Sequence, residues 1–232
     1  MSISELQPTK LGTKKHWDDV YDEELANFEE LGDEGEIWFG EESVEKMVDW
    51  ATEHTPASGS PFVLEIGSGN GTLLFALLEA GYPAEKLSGI DYSPGSVKLS
   101  KSIAETRGGE RISFQLCDFL KEEPPLLPSM TASNTWDLLL DKGTFDAIAL
   151  MEKNEHGAAP VVSYPVKVAK LLKPGGRFLI TSCNFTEEEL QTAFANEQTG
   201  LAYHSRIQHP TFTFGGKSGS VCSSVAFEKP AL

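Results

Sequence analysis

The chain has 232 residues, 40% of them hydrophobic, and a formal net charge of −16, which suits one domain with at most an extension. So acidic a chain argues against nucleic acid as the main partner, because holding phosphates requires a basic face. No apolar run approaches the roughly 18 residues of a membrane span and no apolar signal core opens the chain, so stable membrane insertion is not expected.

Residues 1–12 read as disordered. From Thr13 the spacing of Trp17, Val20, Tyr21, Leu25 and Phe28 predicts an amphipathic helix, ended by Gly32-Asp33-Glu34-Gly35. A second amphipathic helix turns Val44, Met47, Val48 and Ala51 inward. Residues 13–61 thus form a helical, acidic extension or lid. Between Asp18 and Asp49 there are 14 acids against one lysine, −13 of the total −16. A solvated face and a steering field for a basic substrate both fit that imbalance. Trp38-Phe39-Gly40, just before the second helix, suits a cover over a bound ligand, and packing beneath the sheet is the competing reading.

Phe62-Val63-Leu64-Glu65-Ile66-Gly67-Ser68-Gly69-Asn70-Gly71 is the stretch that organises the rest. A buried strand runs into a glycine turn where a Cβ would collide with a close ligand, then into a helix whose free N–H groups face the same space. Leu87-Ser88-Gly89-Ile90-Asp91 is the next strand, and its terminal carboxylate, 20 positions after Gly71, is placed for ribose hydroxyls. Glu65 lies inside the first strand, where a pyrophosphate needs no acid. It suits a cationic amine such as the methionyl end of S-adenosylmethionine, which is favoured over NAD.

Ser93 as N-cap and Pro94 at the first position open a helix that Gly108-Gly109 ends. Residues 112–116 form the third strand, leading to Asp118 and Phe119. These two fit an adenine amino group and ring, or simply a turn. Residues 121–134 are proline-rich and read as a surface loop. Trp136 to Leu140 is the fourth strand, and Asp141 after it sits where ligands bind in an open parallel sheet. A helix over 160–172 ends at Lys173-Pro174-Gly175-Gly176, and 177–181 is the fifth strand. Thr186 and Glu189 fit a capping box, and Phe185 with Leu190 a hydrophobic staple. Two alternating runs around Phe212/Phe214 and Val221/Val225/Phe227 flank Gly215 to Gly219 as a hairpin. The pattern predicts an α/β fold: a Rossmann-like, doubly wound, seven-stranded sheet over 62–232, mostly parallel with an antiparallel C-terminal hairpin. Cys117, Cys183 and Cys222 lie far apart and read as reduced thiols of a cytoplasmic or nuclear protein. No metal spacing surrounds the five histidines, so no metal is expected.

Together, Glu65 to Gly71, Asp91, Asp118 and the Pro174-Gly175-Gly176 turn resemble the class I S-adenosylmethionine-dependent methyltransferases. A narrower resemblance spans nearly the whole chain. Leu11 to Lys14, Gly35 to Ser43, Gly89 to Pro94, Asp141 to Ala147 and Ile180 to Asn184 are similar to eukaryotic lysine methyltransferases acting on translation elongation factor 1-alpha. The 121–134 stretch is longer than that family needs.

The resemblance implies a protein-lysine N-methyltransferase that consumes S-adenosylmethionine, releases S-adenosylhomocysteine, and works as a monomer on a protein partner. It places Glu65, Gly67 and Gly69 at the methionyl end, Asp91 at the ribose, Asp118 and Phe119 at the adenine, and Trp38 over the cofactor, with Tyr92 a further cofactor-binding residue. Asp141 is expected to meet both the cofactor and the incoming ammonium, with Asn184 a second catalytic candidate and Lys142 structural. A small-molecule N- or O-methyltransferase would share every cofactor residue, and a scaffold or trafficking protein would keep the fold alone.

Overall fold

The computed structural model describes residues 3, 6–131, 136–214 and 217–231; across 211–214 and 217–220 only the backbone path is described. Seven strands make one sheet. They are β1 (Val63–Ile66), β2 (Leu87–Asp91), β3 (Ser113–Leu116), β4 (Trp136–Lys142), β5 (Leu172–Ser182), β6 (Ala202–Ile207) and β9 (Ser223–Glu228), in spatial order β3-β2-β1-β4-β5-β9-β6. The first five are parallel, and β9 and β6 close the sheet antiparallel. The chain order reverses beside β1, so the carboxyl ends of β1 and β4 flank the crevice where an open sheet binds ligands.

Four helices cover one face: α1 (Lys14–Leu31), α2 (Gly40–His54), α3 (Thr72–Glu79) and α4 (Pro94–Arg107). The other face carries α5 (Thr144–Ala149), α6 (Tyr164–Leu171) and α7 (Glu187–Phe194). The strand pleat sorts the core accordingly. Val63, Leu138 and Leu140 pack under the first set, with Met47, Trp50 and Leu74. Leu64, Ile66 and Leu139 pack under the second, with Phe145, Tyr164 and Phe194.

The expected caps are mostly in place. Thr13 accepts from the His16 N–H at 3.3 Å, and Gly32 closes α1 in the left-handed region (φ +74°). Thr186 and Glu189 form both halves of the capping box at 3.3 and 2.9 Å. Ser93 occupies the N-cap of α4 without a side-chain cap bond. Its N–H instead donates to Asp91 Oδ1 at 2.9 Å.

Three expectations change and one is refined. Residues 6–12 are held in place: Lys10–Gly12 form a 3₁₀ turn and the Thr9 N–H donates to the Leu150 carbonyl at 3.1 Å. Gly12 is buried there because a Cβ would sit 2.0 Å from the Leu150 oxygen. The 121–131 stretch is a mostly exposed loop, as expected, but is pinned by Leu127 and Met130 in the core; residues 132–135 lie outside the described part. β5 starts at Leu172, before the Pro-Gly-Gly, because the backbones of Gly175 and Gly176 bond to Lys229 at 2.7 and 2.9 Å.

The C-terminal hairpin is also rearranged. β7 (Thr211–Phe214) and β8 (Lys217–Ser220) pair as a separate two-stranded ribbon, and β9 pairs with β5 and β6. The connecting residues 215–216 lie outside the described part. β6 carries no apolar alternation, since an edge strand is only half covered: its residues are exposed or intermediate throughout.

Candidate functional site

The carboxyl ends of β1 to β4 line one cavity. They contribute Gly67 to Asn70, Asp91 and Tyr92, Cys117 to Lys121, and Lys142 to Thr144; Gly12, Lys14, Trp17, Tyr21, Glu36 and Trp38 wall the opposite side. The first glycine turn and the start of α5 are interlocked. Gly67 is left-handed (φ +70°), and a Cβ there would lie 1.9 Å from Thr144 Oγ1, which donates to the Ile66 carbonyl at 2.8 Å. At Gly69 the same space is taken by the Tyr21 hydroxyl, 2.6 Å from where a Cβ would be.

Asp91 is where the sequence placed it. Its carboxylate accepts from the Gly69 N–H at 3.1 Å and the Ser93 N–H at 2.9 Å while still lining the cavity. Burial raises its pKa, and these hydrogen bonds pull the other way. Oxygens held by backbone amides keep lone pairs free for ligand hydroxyls. Tyr92 adjoins it, with Lys14 Nζ 5.3 Å from the ring centroid.

At the β3 end Asp118 and Phe119 both line the cavity. Asp118 also makes the turn, accepting from the Leu120 N–H at 3.1 Å and pairing with Lys121 at 2.8 Å. The turn is thus formed, and Asp118 lines the cavity as well.

Trp38 packs on Trp17 with ring centroids 4.8 Å apart, and its carbonyl accepts from Lys142 Nζ at 3.2 Å. Next to it Phe39 is held at φ +64°, a left-handed conformation that costs a bulky residue energy, with its ring over Gly143. Glu65 is buried behind the cavity wall. One of its oxygens, Oε2, has no hydrogen-bond partner. Burial pushes its pKa up to about 8, opposed by Lys142 and assisted by Asp141 and Asp91.

Three of the expected residues do not line the cavity: Glu65, Asp141 and Asn184. Asp141 does not line the cavity. It is fully buried on the other face of the sheet, where its carboxylate accepts from the Thr144 N–H (2.8 Å), the Phe145 N–H (3.0 Å) and the Tyr164 hydroxyl. It caps α5, and burial pushes its pKa up to about 7. Three donors from the protein already occupy its oxygens, and none of them belongs to the cavity wall opposite.

Asn184 is exposed outside the cavity, its N–H donating to Ser182 Oγ at 3.2 Å. Buried Asp146 holds that turn by accepting from the Cys183 N–H at 2.8 Å. Trp17 is buried and Tyr21 packs against the core, and both also line the cavity, as do Lys14, Asn70 and Lys142. Asn70 Nδ2 donates to the Glu34 carbonyl at 2.9 Å, tying the glycine turn to the segment before α2.

Residues 60–219 match the methyltransferase domain family. The chain is 43% identical to the protein-lysine N-methyltransferase efm4 of Schizosaccharomyces pombe, over 97% of both proteins. It is 41% identical to the mouse EEF1A lysine methyltransferase 2, over 96% of this chain and 85% of the relative. The chain belongs to this methyltransferase family.

Among solved structures, the [4+2]-cyclase SpnF superposes with a TM-score of 0.67 over 100% of both chains at 14% identity. A magnesium protoporphyrin IX methyltransferase from Synechocystis with bound SAM gives 0.53 at 15% identity, over 81% of this chain and 78% of that one. At such identities the likeness shows the fold alone. As a member of the family, the protein is an S-adenosylmethionine-dependent methyltransferase. Its residues fit that cofactor: a glycine cradle that side chains would fill, an amide-held acid beside it, and a buried carboxylate oxygen awaiting a donor.

Two outcomes follow. Asp141→Ala leaves two backbone amides and the Tyr164 hydroxyl unsatisfied, so chemical denaturation will show a loss of about 2–5 kcal/mol, while Asn184→Ala stays within about 0.5 kcal/mol of wild type. Glu65 holds a proton below about pH 8 in the free protein, and a cationic amine beside it favours the ionised form. Binding therefore releases a proton. Affinity for S-adenosylhomocysteine rises as the pH climbs toward about 8 and then levels. Glu65→Gln flattens that slope; an unchanged slope contradicts the assignment, because Lys142, Asp141 and Asp91 remain to titrate in the variant.

Proposed function

We propose that this protein methylates a lysine of translation elongation factor 1-alpha. One observation carries the reading. The methyltransferase domain match begins at residue 60, yet the identity to the relatives named for that activity covers 96–97% of the chain. The likeness therefore includes the N-terminal helices that wall the cavity, which a shared cofactor alone would not require.

When bound, S-adenosylmethionine supplies the methyl group as an electrophile. The chain's task is to hold the ligand and align an amine with it. In this reading Asp91 and Tyr92 take the ribose, Asp118 and Phe119 the adenine, and Gly67, Gly69 and Glu65 the methionyl end. Trp38 covers the site. A substrate lysine is protonated at neutral pH (reference pKa about 10.4) and loses that proton before attack. With Asp141 enclosed, the proton leaves to solvent. Trp17, Tyr21 and Trp38 offer ring faces that attract a cationic side chain on its way in.

Exposed acids on α1 (Asp19, Asp22, Glu23, Glu29, Glu30) and α2 (Glu41, Glu42, Glu45, Asp49) give the cavity side a negative field suited to a basic protein surface. No described helix is long and apolar enough to cross a membrane. We place the protein in the cytoplasm as a monomer, since the exposed large apolar side chains sit on separate elements (Leu31, Leu116, Leu126, Val162, Tyr203, Val221) and nucleic acid is disfavoured by charge.

The test is methyl transfer from labelled S-adenosylmethionine to unmethylated elongation factor 1-alpha and to a lysate of cells lacking this protein. One labelled band at the elongation factor, lost in Asp91→Ala, is expected. Label in small molecules alone would instead favour a small-molecule enzyme. Raising salt is expected to raise KM for the protein substrate several-fold and to leave S-adenosylhomocysteine affinity nearly unchanged. Equal effects on both would contradict steering.

A further inference from the structure

The mechanism above leaves one half-buried lysine of the cavity wall unused. Three lysines line the cavity, and two of them lie at its nucleoside end. Lys14 sits by the Tyr92 ring and pairs with Asp18 at 2.7 Å; Lys121 pairs with Asp118 at 2.8 Å. Lys142 is at the opposite end, between the first glycine turn and Trp38. Successive residues of a strand alternate faces, so Lys142 shares its face with Leu138 and Leu140. Leu140 is paired with Glu65 on β1. The cation of Lys142 and the carboxylate of Glu65 therefore occupy one face of the sheet, side by side, beneath Tyr21 and the Trp38 segment. Glu65 has an oxygen without a partner. Lys142 gives one bond, to the Trp38 carbonyl, and an ammonium has three donors.

Burying two such groups costs more than their mutual attraction returns unless further hydrogen bonds complete them. Burial lowers the Lys142 pKa and raises that of Glu65, so the pair is held short of partners. What completes a lysine ammonium beside a carboxyl group that ionises when an amine arrives is a ligand carrying both a carboxylate and an amine, an α-amino acid.

We propose that Lys142 is the carboxylate-binding residue of the cofactor site, taking the α-carboxylate of the methionyl end while Glu65 takes its α-amine. This rests on the cofactor reading of the cavity. It reassigns Lys142 from structural to ligand-binding. It also joins cofactor occupancy to the cover, because the same ammonium holds the Trp38 carbonyl and the carboxylate at once.

The experiment is calorimetric titration of the intact protein with three ligands: S-adenosylhomocysteine, its decarboxylated analogue (amine kept), and 5′-methylthioadenosine, which has neither group. Wild type is expected to bind S-adenosylhomocysteine at least about tenfold more tightly than the decarboxylated analogue, the scale of a charge-assisted hydrogen bond. Lys142→Met removes that preference, and any loss from the released Trp38 carbonyl falls on all three ligands alike; Lys142→Arg keeps the preference in part. Equal affinity of wild type for the first two ligands would overturn the proposal without any variant. So would a Lys142→Met protein that weakens toward all three alike, or one that keeps the preference. Wild type binding none of the three would overturn the cofactor reading itself, and this proposal with it.

Discussion

The site depends on how β1 and β4 end together. Thr144 Oγ1 bonds the last carbonyl of β1 and fills the volume that a side chain on Gly67 would need. The glycine turn and the start of α5 are thus fixed relative to each other before any ligand enters. Asp141 secures the same junction from beneath, through the first amides of α5 and the Tyr164 hydroxyl. Because the two strands are neighbours in the sheet, a disturbance of either turn moves both walls of the cavity. This is preorganisation in a concrete form: backbone amides and hydroxyls already occupied, with little left to reorganise on binding.

Burial then sorts the acids into separate tasks. Asp91 is amide-held but open to the cavity, which suits hydroxyl recognition. Asp141 and Asp146 are spent on local backbone, one capping α5 and the other holding the turn after β5. Glu65 alone among these four retains a buried oxygen without a donor. The exposed acids of α1 and α2 lie apart from these four, and some of them pair with lysines on the same helix, Asp19 with Lys15 and Glu42 with Lys46. Four carboxylates within a few strands of one another thus differ in function because their donors differ.

Much of this was legible in the residues. The glycine turn, the acid 20 positions beyond it, the five parallel strands and the Thr186/Glu189 capping box all depend on short-range rules that tertiary packing left intact. The rest was not legible, for separate physical reasons. Leu138-Leu139-Leu140 is apolar on both faces, as a central parallel strand must be, so the run does not say which way Asp141 and Lys142 point. The pleat sends Asp141 toward Tyr164 and Lys142 toward the face that carries Glu65. β6 was missed because an edge strand that is half solvated carries no alternation. The docking of residues 6–12 rests on a glycine meeting a distant carbonyl, a contact that no local pattern encodes.

The most direct test of the account is a crystal structure of the protein with S-adenosylhomocysteine. The ligand is expected across the carboxyl ends of β1 to β4, its ribose hydroxyls on Asp91, its adenine beside Asp118 and Phe119, and its amino-acid end between Glu65 and Lys142 under Trp38. A ligand bound away from the Gly67 turn, or with its amino-acid end turned toward Asp141, would contradict the account.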